Sequence, residues 1–319
     1  MDTKIIKINP KNPEISKIEI ASKILKKGGL VAFPTETVYG LGANGLNKIA
    51  VKKSFVAKGR PQDNPLILHV SDINQVNSLV KDIPDKAKTL MDKFWPGPLT
   101  IIFKKSKLVP DIVTCGLDSV AIRMPKNKIA LELINSSGCP ISAPSANLSG
   151  KPSPTNAAHV IDDLKNKIDV IIDGGQVEIG IESTVLDLTQ KIPSISRPGK
   201  ITKENLEKVI GDIKENVKSK KPRSPGMKYK HYSPNAEVII INEEEDLKKI
   251  LDDHLGKKIK ILDYSNEIDM ASRLFKDFRD CDNKKYDVIL VRSVKEKNFG
   301  CAIMNRLRKA SCIKNKESI

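Results

Sequence analysis

The 319-residue sequence is short of the residues that build disulfide frameworks, metal centres and membrane spans. Its five cysteines, Cys115, Cys139, Cys281, Cys301 and Cys312, stand far apart with no C-x-x-C pair. That spacing indicates neither a zinc knuckle nor a disulfide framework and reads as reduced core thiols. The four histidines, at 69, 159, 231 and 254, show no metal-ligand spacing. No G-x-S-x-G elbow or Cys/His arrangement supports a covalent nucleophile. The Gly-Lys pairs that begin at 150, 199 and 256 are followed by Pro, Ile and Lys, so none completes a Walker loop. No apolar run approaches the ~18 residues of a membrane span. The opening MDTKIIKINP lacks the apolar centre of a signal peptide, so the expected compartment is the cytoplasm, away from any membrane. Aromatic residues make up 4% of the chain, with a single Trp, and no stacking motif of an RNA-recognition module is present.

Positive charge is plentiful. Fifty-five Lys and Arg against 39 Asp and Glu give a net charge of +16, which suits an anionic partner such as a nucleotide or RNA and also aids solubility. Residues 1–212 hold 30 basic and 22 acidic side chains, and residues 213–319 hold 25 and 17. Each part therefore carries +8, and neither is a nucleic-acid arm.

The length suggests about two domains. In the first two thirds, β-rich runs (GLVAF, PLILHV, LTIIF, VAIRM, VIIDGG, STVLDL) alternate with helical patterns such as KIEIASKILKK and NKIAVKKSFVAK, without strict βαβ order. This predicts an α/β or α+β domain with a mixed sheet over residues 1–212. The pattern collapses in a Pro- and Lys-rich linker over 213–235. From 236 to 319, AEVIIIN, IKILDY and YDVILVR each precede a helical stretch, which predicts three βα units and a small parallel sheet.

Within the first part, GLGANG (Gly40–Gly45) matches G-x-G-x-x-G. Six residues, four of them polar or aromatic, separate Phe33 from Gly40, and no acid closes the next strand, so the match is read as accidental. In KGRPQDNPLILH, Lys58 and Arg60 flank Gly59, which is both a helix stop and a way to turn two cations toward one anion. Asn64 and His69 follow. The loop SAPSANLSGKPSPT offers small residues, through which backbone amides can approach a phosphate, and the side chains of Ser145, Asn147, Ser149 and Ser153. Ser183, Thr184 and Arg197 fall near strand ends, and Arg123 lies inside a predicted strand, where its charge must find a carboxylate or phosphate. Cations, hydroxyls and small-residue loops form an inventory for binding and positioning phosphates.

FPTETVYGLG, KGRPQDNPLILH, FWPGPLT, SAPSANLSGKPSPT, GIESTV and SRPG, followed by PGMKYKHYSP and CAIMNRL, occur in an order that resembles the threonylcarbamoyl-AMP synthase family in its long, two-domain form. The resemblance implies an α/β fold with a YrdC-like open, twisted, mixed sheet and a concave cleft, plus a small Rossmann-like C-terminal α/β domain. It implies joining of L-threonine, bicarbonate and ATP into threonylcarbamoyl-AMP with release of pyrophosphate, Mg²⁺ arriving on the ATP phosphates and no tightly bound cofactor. The product would pass to a separate transferase complex acting on tRNA. The family's K-x-R and S-x-N signature stands here as Lys58, Arg60, Ser145 and Asn147, with Lys58 and Arg60 taken as the catalytic cations. By resemblance, Thr37, His69, Arg123, Ala143 and Ser183 hold threonine, and Arg60, Asn64, Ser119, Ser145, Asn147, Ser153, Arg197 and Tyr232 hold ATP. PGMKYKHYSP is expected to be a lid over the nucleotide. The competing expectations are an RNA-binding module without chemistry, direct RNA contact being left open, and a regulatory binder that has lost catalysis.

Overall fold

The computed structural model describes residues 2–215, 231–242 and 244–311. The strands of the first part are β1 (Lys4–Lys7), β2 (Val31–Phe33), β3 (Gly40–Asn44), β4 (Ile67–His69), β5 (Leu99–Lys104), β6 (Ser119–Arg123), β7 (Ile141–Ser142), β8 (Val170–Asp173), β9 (Thr184–Asp187), β10 (Ser194–Arg197) and β11 (Lys214–Glu215). They form one eleven-stranded sheet in the order β1-β8-β2-β3-β7-β4-β6-β5-β9-β10-β11. Parallel pairs such as β4 with β6 mix with antiparallel pairs such as β5 with β6, so the sheet is mixed, as the irregular strand-helix order implied. The helices between them are α1 (Ile15–Lys26), α2 (Lys48–Lys58), α3 (Asn74–Leu79), α4 (Asp85–Phe94), α5 (Asp111–Thr114), α6 (Lys128–Ser137), α7 (Ala157–Leu164) and α8 (Lys203–Ile210).

Local chemistry explains where the functional segments begin and end. The Asn47 side chain accepts from the N–H groups of Ile49 and Ala50 and starts α2, while Gly59 ends it at φ 60°, a left-handed position that favours glycine. The KGR turn is thus a helix stop. GLGANG is a strand edge-on to β2, with Phe33 opposite Gly40. A Cβ at Gly42 would lie 2.9 Å from the Phe33 ring and 3.0 Å from Ile141, so glycine is there for close packing inside the sheet and not for a dinucleotide.

The second part contains β12 (Glu237–Ile241), α9 (Glu244–Asp253), β13 (Ile259–Leu262), α10 (Glu267–Asn283), β14 (Val288–Arg292) and α11 (Gly300–Ser311). Its strands pair in parallel in the order β12-β14-β13, the small Rossmann-like sheet expected of three βα units.

The two parts share a core. Ile179 and Ile181 pack in one apolar cluster with Tyr232, Met270, Phe275, Phe278, Ile303 and Leu307. Gly180 lies between those isoleucines at φ 85°, and a Cβ there would fall 2.3 Å from the Ala271 carbonyl oxygen. A fully buried Ile or Phe contributes about 1.5–3 kcal/mol relative to exposure, so this cluster fixes the second part against the GIES segment.

Candidate active site

The run after β2 is polar yet buried because its hydroxyls bond locally. Thr35 Oγ1 donates to the Val38 carbonyl at 2.7 Å and accepts from the Thr37 N–H at 3.1 Å, closing a turn on its own backbone. The turn presents Thr37, whose Oγ1 accepts from Arg123 Nη1 at 2.9 Å. Arg123 ends β6, beside His69, which ends β4 in register with it. Its Nε donates to the Gly97 carbonyl at 3.2 Å, and Nη2 lies 2.6 Å from Glu36 Oε2. Glu36 is therefore the internal carboxylate that a strand-borne arginine requires. His69 is buried with no partner on Nδ1 among the described residues. Burial, and then the charge on Arg123, pull its imidazole down to about 3, so it is neutral at physiological pH.

Across the cleft, Arg197 closes β10 and turns onto Ser183, with Nε 3.0 Å from the carbonyl and Nη2 3.1 Å from Oγ. Ser183 Oγ also meets Thr100 Oγ1 at 2.8 Å. Arg60 donates through Nη2 to the Asn64 and Pro65 carbonyls at 3.2 and 3.4 Å, and its Nε has no partner among the described residues. Burial lowers this guanidinium only to about 10, which leaves it charged. Glu182 accepts from Ser153 Oγ at 2.5 Å and from Arg306 Nε at 2.8 Å. Burial would raise its carboxyl, but Arg306 and Arg197 hold it down at about 2. The Tyr232 ring stacks on Phe275 at 5.2 Å.

Most of these groups line one narrow cleft, with a cavity volume of about 60 Å³. All five residues assigned to threonine, Thr37, His69, Arg123, Ala143 and Ser183, line it, as do Arg60, Ser145, Arg197 and Tyr232 of those assigned to ATP. Five others do not. Asn64 is buried beside Arg60 with both amide atoms unpartnered among the described residues. Asn147 keeps an unpartnered Oδ1 while its Nδ2 donates to Leu148 and Lys151 carbonyls. Ser153 stands behind Glu182. Ser119 opens β6, four residues from Arg123 on the same face of that strand, about 13 Å away by strand rise. Lys58 is buried behind the loop, its Nζ donating to the carbonyls of Ser145 and Asn147, so in this structure its ammonium holds loop backbone and does not line the cleft.

Lining residues not singled out from sequence include Val38, Pro144 and Glu182. Of the expected lid, Lys228, Tyr229 and Lys230 lie outside the described residues, whereas His231 and Tyr232 line the cleft. Among the described residues no cluster of His, Cys, Asp or Glu is placed to hold a metal ion, and no helix is long and apolar enough to cross a membrane.

The α/β cleft gathers neutral polar groups, an arginine ion-paired to Glu36 and two further arginines, the lining of a class of protein suited to a small polar molecule next to an anion. Comparison with known proteins narrows this. A family model described as "Telomere recombination", for the Sua5, YciO and YrdC proteins, matches residues 23–199. A second, "Threonylcarbamoyl-AMP synthase, C-terminal domain", matches residues 201–312. The threonylcarbamoyl-AMP synthase of Pyrococcus abyssi is 49% identical, over 92% of this chain and 94% of its own; that of Bacillus subtilis is 46% identical, over 95% and 94%. The crystal structure of P. abyssi Sua5 complexed with L-threonine superposes with a TM-score of 0.92 at 48% identity, covering 97% of this chain and 98% of that one. This chain belongs to the threonylcarbamoyl-AMP synthase family, in its two-domain form.

Proposed function

We propose that this cleft joins L-threonine, bicarbonate or carbon dioxide, and ATP into threonylcarbamoyl-AMP with release of pyrophosphate, the first step of tRNA threonylcarbamoyladenosine modification. The observation that supports it most is the meeting, in one cleft, of the Thr37–His69–Arg123 wall with Arg60 and Arg197.

Arg123 donates two of its N–H groups, to Thr37 and Gly97, while its Nη2 faces Glu36 as an ion pair and makes no hydrogen bond among the described residues. A guanidinium has five N–H groups, so both terminal nitrogens keep donors for the substrate carboxylate. Neutral His69 offers a lone pair and an N–H without competing charge. The threonine amine adds to carbon dioxide and loses a proton, giving a carbamate. A carbamate oxygen then attacks the α-phosphorus, and the bond to the bridging oxygen breaks as pyrophosphate leaves. A short-lived carbamate gains most from being held in line, an effect worth about 7–11 kcal/mol in general. Arg60 and Arg197, bonded only to neutral groups in the contacts described above, are placed to offset charge on the phosphates. No general base is assigned.

Glu182, the one acidic residue in the described lining of the cleft, is already paired with Arg306, so the donor set fits phosphate oxygens and not a protein-held metal. Mg²⁺ would arrive on the triphosphate and supply charge neutralisation there. The setting is the cytoplasm, and the product would be consumed by a carbamoyl-transfer complex acting on tRNA; direct RNA contact is a separate question. The decisive test incubates the protein with ATP, L-threonine, bicarbonate and Mg²⁺ and follows pyrophosphate. Release that requires every substrate supports the reading. RNA binding without turnover would replace it.

A further inference from the structure

Arg306 belongs to α11 in the second part of the chain, yet it is fully buried against the cleft of the first. It lies on the apolar stripe of its helix, between Ile303 and Leu307, where a leucine would be expected. Its Nε donates to Glu182 Oε2 at 2.8 Å, and Nη2 reaches the Glu182 carbonyl at 3.4 Å. The guanidinium carbon sits 5.5 Å from the centroid of the Tyr232 ring, within cation–π range. The other Glu182 oxygen takes the Ser153 hydroxyl at 2.5 Å.

A buried ion pair is a poor device for stability alone, because well-packed apolar residues of similar volume do as well or better. Here the pair has a different consequence. Glu182 lines a cleft whose proposed ligand is a polyanion, and an unpaired carboxylate there would repel it. Arg306 cancels that charge from behind. It also fixes Glu182 toward Ser153 and braces Tyr232, two residues assigned to the nucleotide. Arg60 and Arg197 are thereby left for phosphate.

The geometry points to Arg306 as a positioning residue for ATP: the C-terminal part of the chain builds the nucleotide side of the cleft through the Arg306–Glu182–Ser153 contacts and the Arg306–Tyr232 contact, while the threonine side stands without it. This rests on the proposed reaction for the identity of the ligand.

The test uses the full chain and calorimetry with a non-hydrolysable ATP analogue and, separately, with L-threonine, so that it reads Arg306 even if turnover fails. Arg306→Gln should weaken analogue binding about tenfold or more, as loss of a charged contact does, and leave threonine affinity within about twofold. Arg306→Lys should recover little, because a point charge cannot serve the carboxylate and the ring face together. Glu182→Gln combined with Arg306→Gln should be no worse than Arg306→Gln alone, since the repelling carboxylate is gone. Analogue affinity unchanged within about twofold, equal loss for both ligands, or additive losses in the double variant would overturn the inference. Where Arg306→Gln does not fold, Arg306→Lys carries the same comparison and the same overturning results. Absence of pyrophosphate release by the unaltered protein would instead strike the proposed reaction.

Discussion

Arg123 and Glu36 form an ion pair of 2.6 Å in which both side chains are almost fully buried. Thr37 follows Glu36 directly and accepts from the same guanidinium, so the carboxylate sets the direction in which Arg123 points its remaining donors. Removing one member of a buried pair typically costs about 3–5 kcal/mol, because the other is left uncompensated. Glu36→Gln should therefore lower the melting temperature. Arg123→Ala should abolish threonine binding while largely sparing ATP binding, since a site built on paired donors discriminates by them. Calorimetry with each ligand checks this: lost ATP affinity with normal threonine affinity would contradict the assignment.

Lys58 and Arg60 flank one glycine but do different work. Arg60→Ala should lower kcat/KM by a factor equivalent to about 2.7–4 kcal/mol, by analogy with removing an oxyanion-hole donor, with little change in melting temperature. Lys58→Ala should reduce turnover as well, but together with stability, because the carbonyls of Ser145 and Asn147 lose their donor. Paired measurements of melting and pyrophosphate release separate the two. Equal melting losses in both variants would mean the residues act alike.

How much of this was legible in the sequence depends on range. β2, β4, β5, β6, β8 and β9 and the three strands of the second sheet were visible as β-rich runs, and Thr37 in the run after Phe33 was reached through the resemblance carried by FPTETVYGLG. β3 was missed because its glycines mimic a loop, although they serve contacts with Phe33 and Ile141. The cation pair around Gly59 was visible, but not that Lys58 turns beneath a loop nearly ninety positions away, with Asn147 at a separation of 89. Arg306 left a signal, an arginine on an apolar helical stripe. Its partner Glu182 lies 124 positions earlier, and no local periodicity connects them.

Three histidines set a pH dependence. Burial first, and then nearby arginine charge, lower the buried His69 to about 3 and the buried His159 and half-buried His231 to about 4, against an ordinary value near 6.5. Between those limits the unfolded chain binds the protons and the folded one does not. Stability therefore rises with pH in this window and is lost as pH falls below about 6.5, with a slope on the order of 1.4 kcal/mol per pH unit for each group. Glu182, held at about 2, adds a loss of the same sign below about 4.5. The melting temperature should thus fall from pH 6.5 downward and more steeply below 4.5. His69→Asn should flatten the upper part of that curve, and an unchanged slope would show that His69 is not the neutral group described.

Tyr232 joins the cleft to the second part of the chain. Its ring stacks on Phe275, lies near Arg306 and lines the cleft, and its backbone adopts φ 66°. A non-glycine residue in that region carries a conformational cost of about 1–3 kcal/mol and persists where surrounding contacts over-determine it. Tyr232→Gly would relieve the backbone and lose the ring, so it separates local strain from ring contact. If the ring is what matters, Tyr232→Phe should keep most ATP affinity, since it preserves the stacking surface. Tyr232→Ala and Tyr232→Gly should both weaken ATP binding about tenfold, a loss of about 1.4 kcal/mol, and leave threonine binding unchanged. If Tyr232→Gly bound ATP as well as the unaltered protein, the ring would be a packing element of the interdomain core and not part of the nucleotide side.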